Sequence, residues 1–315
     1  MAENSVRSVA VVGAGLVGLG WAIVFSRAGL PVKIYDASAE ARAAALSRLK
    51  ANLYDLKAAG LLENAAELLG RMRVVETLAD AVADADYVQE SVFERVNVKT
   101  EIANAIGPLL KTGAVVGSSS SGIPASAFTE HATNRDRFLI VHPVNPPHLI
   151  PLVELVPAPW TDPAIVPAVR RFMNAVGQVP IVVNREVEGF ILNRLQGALL
   201  NEAWALFEEG YASVEDIDLT VSHGLGFRWS FMGPFETIDL NAPGGVADYA
   251  RRLGPLYHGI AKARSNPKPW NEDLLGRVEA QRREKLALDE LPERSAWRDR
   301  RLMALLRHKN TQSDR

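Results

Sequence analysis

The chain has six histidines, no cysteine and few carboxylates set among apolar residues, so its chemistry is confined to a few places. His142 closes the apolar run Phe138-Leu139-Ile140-Val141, and Glu154 sits inside Leu152-Val153-Glu154-Leu155-Val156. A glutamate flanked by apolar residues on both sides is expensive to bury without a partner. His142, 12 residues earlier at the end of a neighbouring strand, is the natural candidate. A carboxylate accepting from one ring N–H fixes the tautomer and leaves the other nitrogen free. A histidine held in this way can take a proton from a hydroxyl, and the carboxylate stabilises the imidazolium that forms. The alternative is a buried pair with a structural role only.

A second constellation lies near the N-terminus. Val9-Ala10-Val11-Val12 runs into Gly13-Ala14-Gly15-Leu16-Val17-Gly18, and Leu19 to Ala28 is helical in composition. A strand, a Gly-x-Gly-x-x-Gly turn and a helix form the context of the dinucleotide fingerprint. Gly13 allows the tight turn, Gly15 admits a pyrophosphate to the backbone, and Gly18 lets helix and strand pack closely. The anion would rest on the free N–H groups and positive dipole end of the helix. Pro31 to Asp36 reads as the next strand, and Asp36 lies 18 residues after Gly18. A carboxylate there accepts from a ribose 2′-hydroxyl and repels a 2′-phosphate, so NAD is expected rather than NADP.

These groups need a scaffold, and the apolar pattern supplies one. Strands are expected at 74–75, 86–92, 114–118, 138–142, 152–156 and 181–183, with helices at 39–59, 62–71, 78–83 and 96–110. The alternation implies an α/β fold, a doubly wound, mainly parallel sheet of Rossmann type. From Phe190 the pattern changes: Ile191, Leu195, Leu199, Ala203 and Leu206 recur at helical spacing. An all-helical C-terminal domain follows, giving expected domains of 1–187 and 188–315. The tail from Pro292, dense in Arg and Asp, reads as a solvated amphipathic end helix.

Composition narrows the function. The 315 residues are 48% hydrophobic and 23% charged, typical of a globular protein with a sizeable core. A net charge of −2 gives no electrostatic case for nucleic acid or an anionic membrane. Without cysteine, disulfides, thiolate catalysis and Cys-ligated zinc are excluded. No apolar run approaches the roughly 20 residues of a membrane span, and no secretory signal is evident, so a cytoplasmic enzyme is expected. The other histidines rank below His142: His131, His258 and His308 read as surface residues and His148 as a loop residue, while for His223 a place at the cleft edge is the lesser of two readings. No two histidines have a metal-ligand spacing, and no catalytic metal is expected.

The fingerprint, the run Ser118-Ser119-Ser120-Ser121, His142-Pro143-Val144-Asn145-Pro146-Pro147, Leu152 to Val156 and Gly189-Phe190-Ile191-Leu192-Asn193-Arg194-Leu195 together resemble the 3-hydroxyacyl-CoA dehydrogenase superfamily. The resemblance covers about residues 5–260. It implies that His142 is the catalytic base, that Glu154 orients it, and that Asn193 lies by the reacting carbon. It implies a serine on the substrate hydroxyl, which is Ser121, or Ser120 if the loop is shifted by one residue. NAD contacts are implied at Gly13, Gly15, Leu16, Val17, Gly18, Asp36, Glu94 and Lys99, although Lys99 by itself also reads as a solvated helix lysine. A helical domain that closes over the substrate and forms a homodimer interface is implied as well.

Within the superfamily, the Ser run, the His142 to Pro147 string, Ile150 to Pro157 and Gly224-Leu225-Gly226-Phe227-Arg228 resemble a branch acting on free acids. A buried substrate carboxylate wants a fixed bidentate cation, and Arg228 is the expected one; the alternative is a surface or dimer-contact arginine. The expected reaction is NAD-dependent oxidation of the 3-hydroxyl of a small hydroxy acid, with L-gulonate as substrate. Alternatives are an L-3-hydroxyacyl-CoA, or L-carnitine, whose ammonium would need an aromatic box such as Trp204, Trp229 and Phe231. A different class of alternative is a non-catalytic NAD-binding structural protein.

Overall fold

A computed structural model describes residues 6–312. Two compact units are present: residues up to Arg194 together with Ser295 onward, and Leu195–Arg294.

The first unit is built on β1 (Val9–Val12), α1 (Leu16–Arg27), β2 (Val32–Tyr35), α2 (Ala39–Ala58), α3 (Ala65–Gly70), β3 (Met72–Val74), α4 (Leu78–Val82), β4 (Tyr87–Glu90) and α5 (Val96–Ile106). It continues with β5 (Val115–Ser118), α6 (Ser126–Thr129), β6 (Phe138–Pro143), β7 (Leu152–Pro157), α7 (Ile165–Ala175) and β8 (Val179–Val182). The strands form one eight-stranded sheet in the order β3-β2-β1-β4-β5-β6-β7-β8. Strands β1 to β6 are mutually parallel, while β7 runs antiparallel to β6 and pairs in parallel with β8.

The expected sheet is therefore present, with one reversal. No crossover helix separates β6 from β7; an eight-residue loop turns the chain back on itself, as antiparallel neighbours allow. The helices α6 and α7 lay outside the sequence expectation. Helix α6 is a single turn, and α7 carries Pro167 in its first turn, where a missing N–H costs nothing.

Alternating side chains on each strand feed two cores. Val9 and Val11 of β1 join Trp21, Phe25, Leu49, Tyr87, Leu139 and Met173 on one face. Ala10 and Val12 join Val88, Ile106, Val116, Ile140 and Phe190 on the other. The chain order reverses between β1 and β4, and a doubly wound sheet opens its ligand crevice at such a switch point, beyond the carboxyl ends of the strands.

The second unit is helical. It carries most of α8 (Leu192–Glu208), then α9 (Val214–Thr220), α10 (Gly226–Trp229), α11 (Pro234–Leu240), α12 (Gly245–Ala263) and α13 (Glu272–Lys285). Among its described residues only Thr237, Ala242 and Leu274 are buried, while Leu195, Phe227, Phe231, Phe235 and Leu240 are more than 60% exposed. The end helix α14 (Leu291–Asn310) is only partly solvated as expected: Met303 is buried in the first core, and Leu302 and Leu306 pack against it.

Candidate active site

His142 and Glu154 face each other as register partners across β6 and β7. Nδ1 of His142 lies 2.7 Å from Oε2 of Glu154, and both residues are buried. The reversal of β7 creates this pairing, because a one-residue slip would turn either side chain to the opposite face.

The other carboxylate oxygen has a second duty. Oε1 of Glu154 accepts from the N–H groups of Ile191 and Leu192 at 2.9 and 3.0 Å, where α8 begins. Unpaired N–H groups and the positive end of the dipole make that position favourable for an anion. Burial alone would raise the Glu154 carboxyl. The hydrogen bonds with His142, Leu192 and Ile191 and the His142 charge oppose burial, and the carboxyl lies below its ordinary value. The chain reaches this point through Gly189 and Phe190, both at positive φ. Phe190 is fully buried with its ring 5.8 Å from that of His142 and tilted by 57°, so the imidazole is packed by Phe190 as well as hydrogen-bonded to Glu154. Left-handed backbone in a bulky residue persists only where its surroundings enforce it.

Asn193 follows directly and donates from Nδ2 to the carbonyl of Ser121 at 2.6 Å. The structure thus brings two chain-distant site residues together. Glu94 shapes the serine turn from the other side: its Oε1 accepts from Ser120 Oγ at 2.7 Å and from the N–H groups of Ser121 and Gly122 at 2.8 and 3.1 Å. Burial pushes the Glu94 carboxyl up. The Ser120 hydroxyl, the Lys99 charge and the Gly122 and Ser121 N–H groups outweigh it and hold the carboxyl low. The hydroxyl of Ser120 is buried and engaged, with the Ile123 carbonyl also 2.7 Å away. Ser121 is exposed, and its hydroxyl makes only a 3.4 Å contact with Glu94.

Lys99 is not a solvated lysine: it is 1% exposed. Its Nζ lies 3.1 and 3.2 Å from the two oxygens of Glu90 and 3.4 Å from Oε2 of Glu94. Glu90 is itself buried and accepts from Ser118 Oγ and from the Val92 N–H. Sequence reasoning passed over Glu90 and Phe190. The signal for Glu90 was present, since a carboxylate ending an apolar strand needs a buried cation, and Lys99 lies nine residues on.

The fingerprint has the shape its glycines require. Gly13 has φ +111°, and a Cβ there would strike the Ser91 carbonyl; a Cβ at Gly18 would strike the Gly13 carbonyl. A Cβ at Gly15 would meet nothing within 4 Å, so the space above it is open. No side chain caps the first turn of α1, so its N–H groups are left for a ligand. Leu16 is exposed there and Val17 half-buried. Asp36, at the end of β2, reaches back to accept from the Ala14 N–H at 2.7 Å, placing a carboxylate beside the glycine turn. An open cradle, free amides and an adjacent carboxylate fit NAD.

The remaining candidates lie elsewhere. His148 is more than a loop residue: it is buried, and burial and then the Arg27 charge push it down to about 4, against the pull of Asp299. His131, His223, His258 and His308 are exposed. Arg228 is exposed on α10 in the second unit, with no carboxylate within 4 Å of its guanidinium among the described residues. In the same unit Trp204 stacks on Trp270 at 4.6 Å, and Trp229 and Phe231 are exposed. Among the described residues no cluster of His, Asp and Glu could hold a metal ion, and no helix is long and apolar enough to cross a membrane.

Comparison with known proteins places this geometry. The NAD-binding domain model of 3-hydroxyacyl-CoA dehydrogenase matches residues 8–187, and the model of that enzyme's C-terminal domain matches residues 189–285. The chain is 37% identical to lambda-crystallin of Oryctolagus cuniculus over 98% of both chains. It is 41% identical to L-carnitine dehydrogenase of Streptomyces griseus over 81% of this chain and 76% of that one. A solved structure of 5-formyl-3-hydroxy-2-methylpyridine 4-carboxylic acid 5-dehydrogenase, described as an NAD+-dependent dismutase, superposes with a TM-score of 0.80 at 28% identity, covering 98% of this chain and all of that one.

Proposed function

The chain belongs to the 3-hydroxyacyl-CoA dehydrogenase family, and from that premise we propose that it oxidises the 3-hydroxyl of a small free hydroxy acid, with L-gulonate as substrate. It is an NAD-dependent oxidoreductase. The observation that carries the chemical reading is the 2.7 Å contact between His142 and Glu154.

When bound, NAD supplies the acceptor for the hydride; Gly13, Gly15, Leu16, Val17, Gly18 and Asp36 would hold it, with Glu94 at the serine turn, while Lys99, expected as a direct contact, is buried and acts through Glu94. Nδ1 of His142 is occupied by Glu154, so Nε2 is the nitrogen that takes the substrate's hydroxyl proton. The Glu154 carboxylate then stabilises the imidazolium. The Ser121 hydroxyl holds the substrate oxygen, and Asn193, tied to the Ser121 carbonyl, keeps that turn in place beside the base.

The free-acid reading rests on Arg228, a cation without a protein carboxylate among the described residues. A second reading, L-carnitine, is supported by the identity to a carnitine enzyme. Absorbance at the NADH band, with NAD and separately L-gulonate, L-carnitine and L-3-hydroxybutyryl-CoA, distinguishes them. Turnover on L-gulonate alone supports the proposal. Turnover on the thioester alone would overturn the free-acid reading and the role given to Arg228.

A homodimer is part of the same proposal. A helical unit that leaves Phe227, Phe231, Phe235 and Leu240 exposed lacks the cover an isolated unit needs, and a second copy supplies it. Sedimentation equilibrium reads the mass directly.

A further inference from the structure

At the switch point between β1 and β4 lies a row of polar groups that the roles above leave unused. Tyr87 Oη donates to Gln89 Oε1 at 2.6 Å. Gln89 Nε2 donates to Ser119 Oγ at 2.8 Å and lies 3.4 Å from the Val141 carbonyl. Trp21 Nε1 donates to the same Ser119 oxygen at 3.1 Å. Ser119 Oγ and Ser91 Oγ are 2.8 Å apart. Trp21, Tyr87 and Gln89 are fully buried.

The direction of each proton follows from what each group can do. An indole N–H only donates, and a carbonyl only accepts. The Val141 carbonyl therefore faces the nitrogen end of the Gln89 amide, and Tyr87 supplies a proton to the oxygen end. Burial holds the Tyr87 phenol well above its ordinary value, so that proton stays in place. Ser119 Oγ has two lone pairs and one hydrogen. Trp21 and Gln89 fill both lone pairs, so the Ser119 hydrogen goes to Ser91. Ser91 is thus the acceptor in that bond, and its own hydrogen must point elsewhere. No acceptor among the described residues takes it.

Ser91 stands where such a donor would be useful. It follows β4 directly, its N–H bonds to the Val12 carbonyl at 2.7 Å, and its carbonyl is the atom that a side chain at Gly13 would strike. It is half-buried, beside the glycine turn that would hold the cofactor. We propose that Ser91 is a further cofactor-binding residue, whose hydroxyl donates a hydrogen bond to an oxygen acceptor of the bound dinucleotide. The Trp21–Ser119–Gln89 row fixes that donor before the cofactor arrives. The inference rests on NAD as cofactor and goes beyond the fingerprint contacts.

The test is binding rather than turnover. NADH and ADP-ribose are titrated by calorimetry against the full-length wild type, Ser91→Ala and Ser91→Thr, with thermal unfolding of the ligand-free proteins alongside. One neutral hydrogen bond predicts NADH binding about 3- to 10-fold weaker in Ser91→Ala. Ser91→Thr keeps the hydroxyl and is expected to stay within about twofold of wild type. If ADP-ribose shows the same loss, the acceptor lies on the ribose–diphosphate part; if only NADH does, it lies on the nicotinamide riboside. Equal NADH affinity in wild type and Ser91→Ala overturns the proposal and leaves the cofactor untouched, as does equal loss in the Ala and Thr variants. No NADH binding by the wild type would overturn both.

Discussion

Glu154 and Leu192 are joined by a 3.0 Å hydrogen bond that gives one carboxylate two tasks, since its other oxygen faces His142. The group that orients the base is also the group that anchors the start of α8. Glu154→Gln separates the two. An amide offers one acceptor end; with that end kept on the Ile191 and Leu192 N–H groups, its nitrogen faces His142 and demands the opposite tautomer. The proton then sits on Nε2, where the substrate's proton must go. The expected kcat is lower by about 10²- to 10⁴-fold, with the KM for NAD little changed. Steady-state kinetics check this, and a wild-type kcat would contradict it.

Acid should loosen the fold through the same residue. The Glu154 and Glu94 carboxyls both lie below their ordinary value of 4.5 in the folded chain. The unfolded chain therefore takes up these protons first as pH falls. Their contribution is fully present above about pH 4.5 and is lost as pH drops through the lower folded values. Urea midpoints measured from pH 7 to pH 3 should fall below pH 4.5, and less steeply in Glu154→Gln. An unchanged slope in that variant would remove Glu154 from the account.

The glycines of the fingerprint make a contrast of their own. A methyl at Gly18 would meet the Gly13 carbonyl, whereas one at Gly15 enters open space. Gly18→Ala should unfold at markedly lower temperature. Gly15→Ala should unfold within a degree or two of wild type, yet bind NADH at least about tenfold more weakly, because the space it fills is that of the ligand. Thermal unfolding with an NADH titration checks both, and unaltered binding in Gly15→Ala would contradict the placement of the cofactor.

The outline of the fold was legible because buried parallel strands write themselves as apolar runs, and β1, β5 and β6 appear close to where Val9–Val12, 114–118 and 138–142 read. The Glu154–His142 pair was legible for a related reason: a carboxylate within an apolar strand must have a partner. Lys99 was missed although Glu90 called for a buried cation, because which nearby cation meets that need is decided only when β4 and α5 pack together. The positive φ of Phe190 was not legible, since its neighbours impose it on a residue type that resists it. The apolar stripe of α14 was legible, but that Leu302, Met303 and Leu306 dock on the first core rather than face solvent was not, because a stripe on a charged helix does not say what covers it.

Lys99 offers the sharpest energetic test of that hidden part. Lys99→Met leaves Glu90 buried without its cation, which should cost about 3–5 kcal/mol of stability. The double variant Glu90→Gln with Lys99→Met removes both charges and should recover much of the loss, as a double-mutant cycle in urea would read. Independent, additive losses would contradict the pair.

The central claim is that His142 is the base, and His142→Gln measures it most directly. The account predicts NADH binding within about twofold of wild type, read by titration, and NADH formation on the preferred substrate reduced by about 10²- to 10⁴-fold. Turnover that survives the substitution, with binding intact, would contradict it.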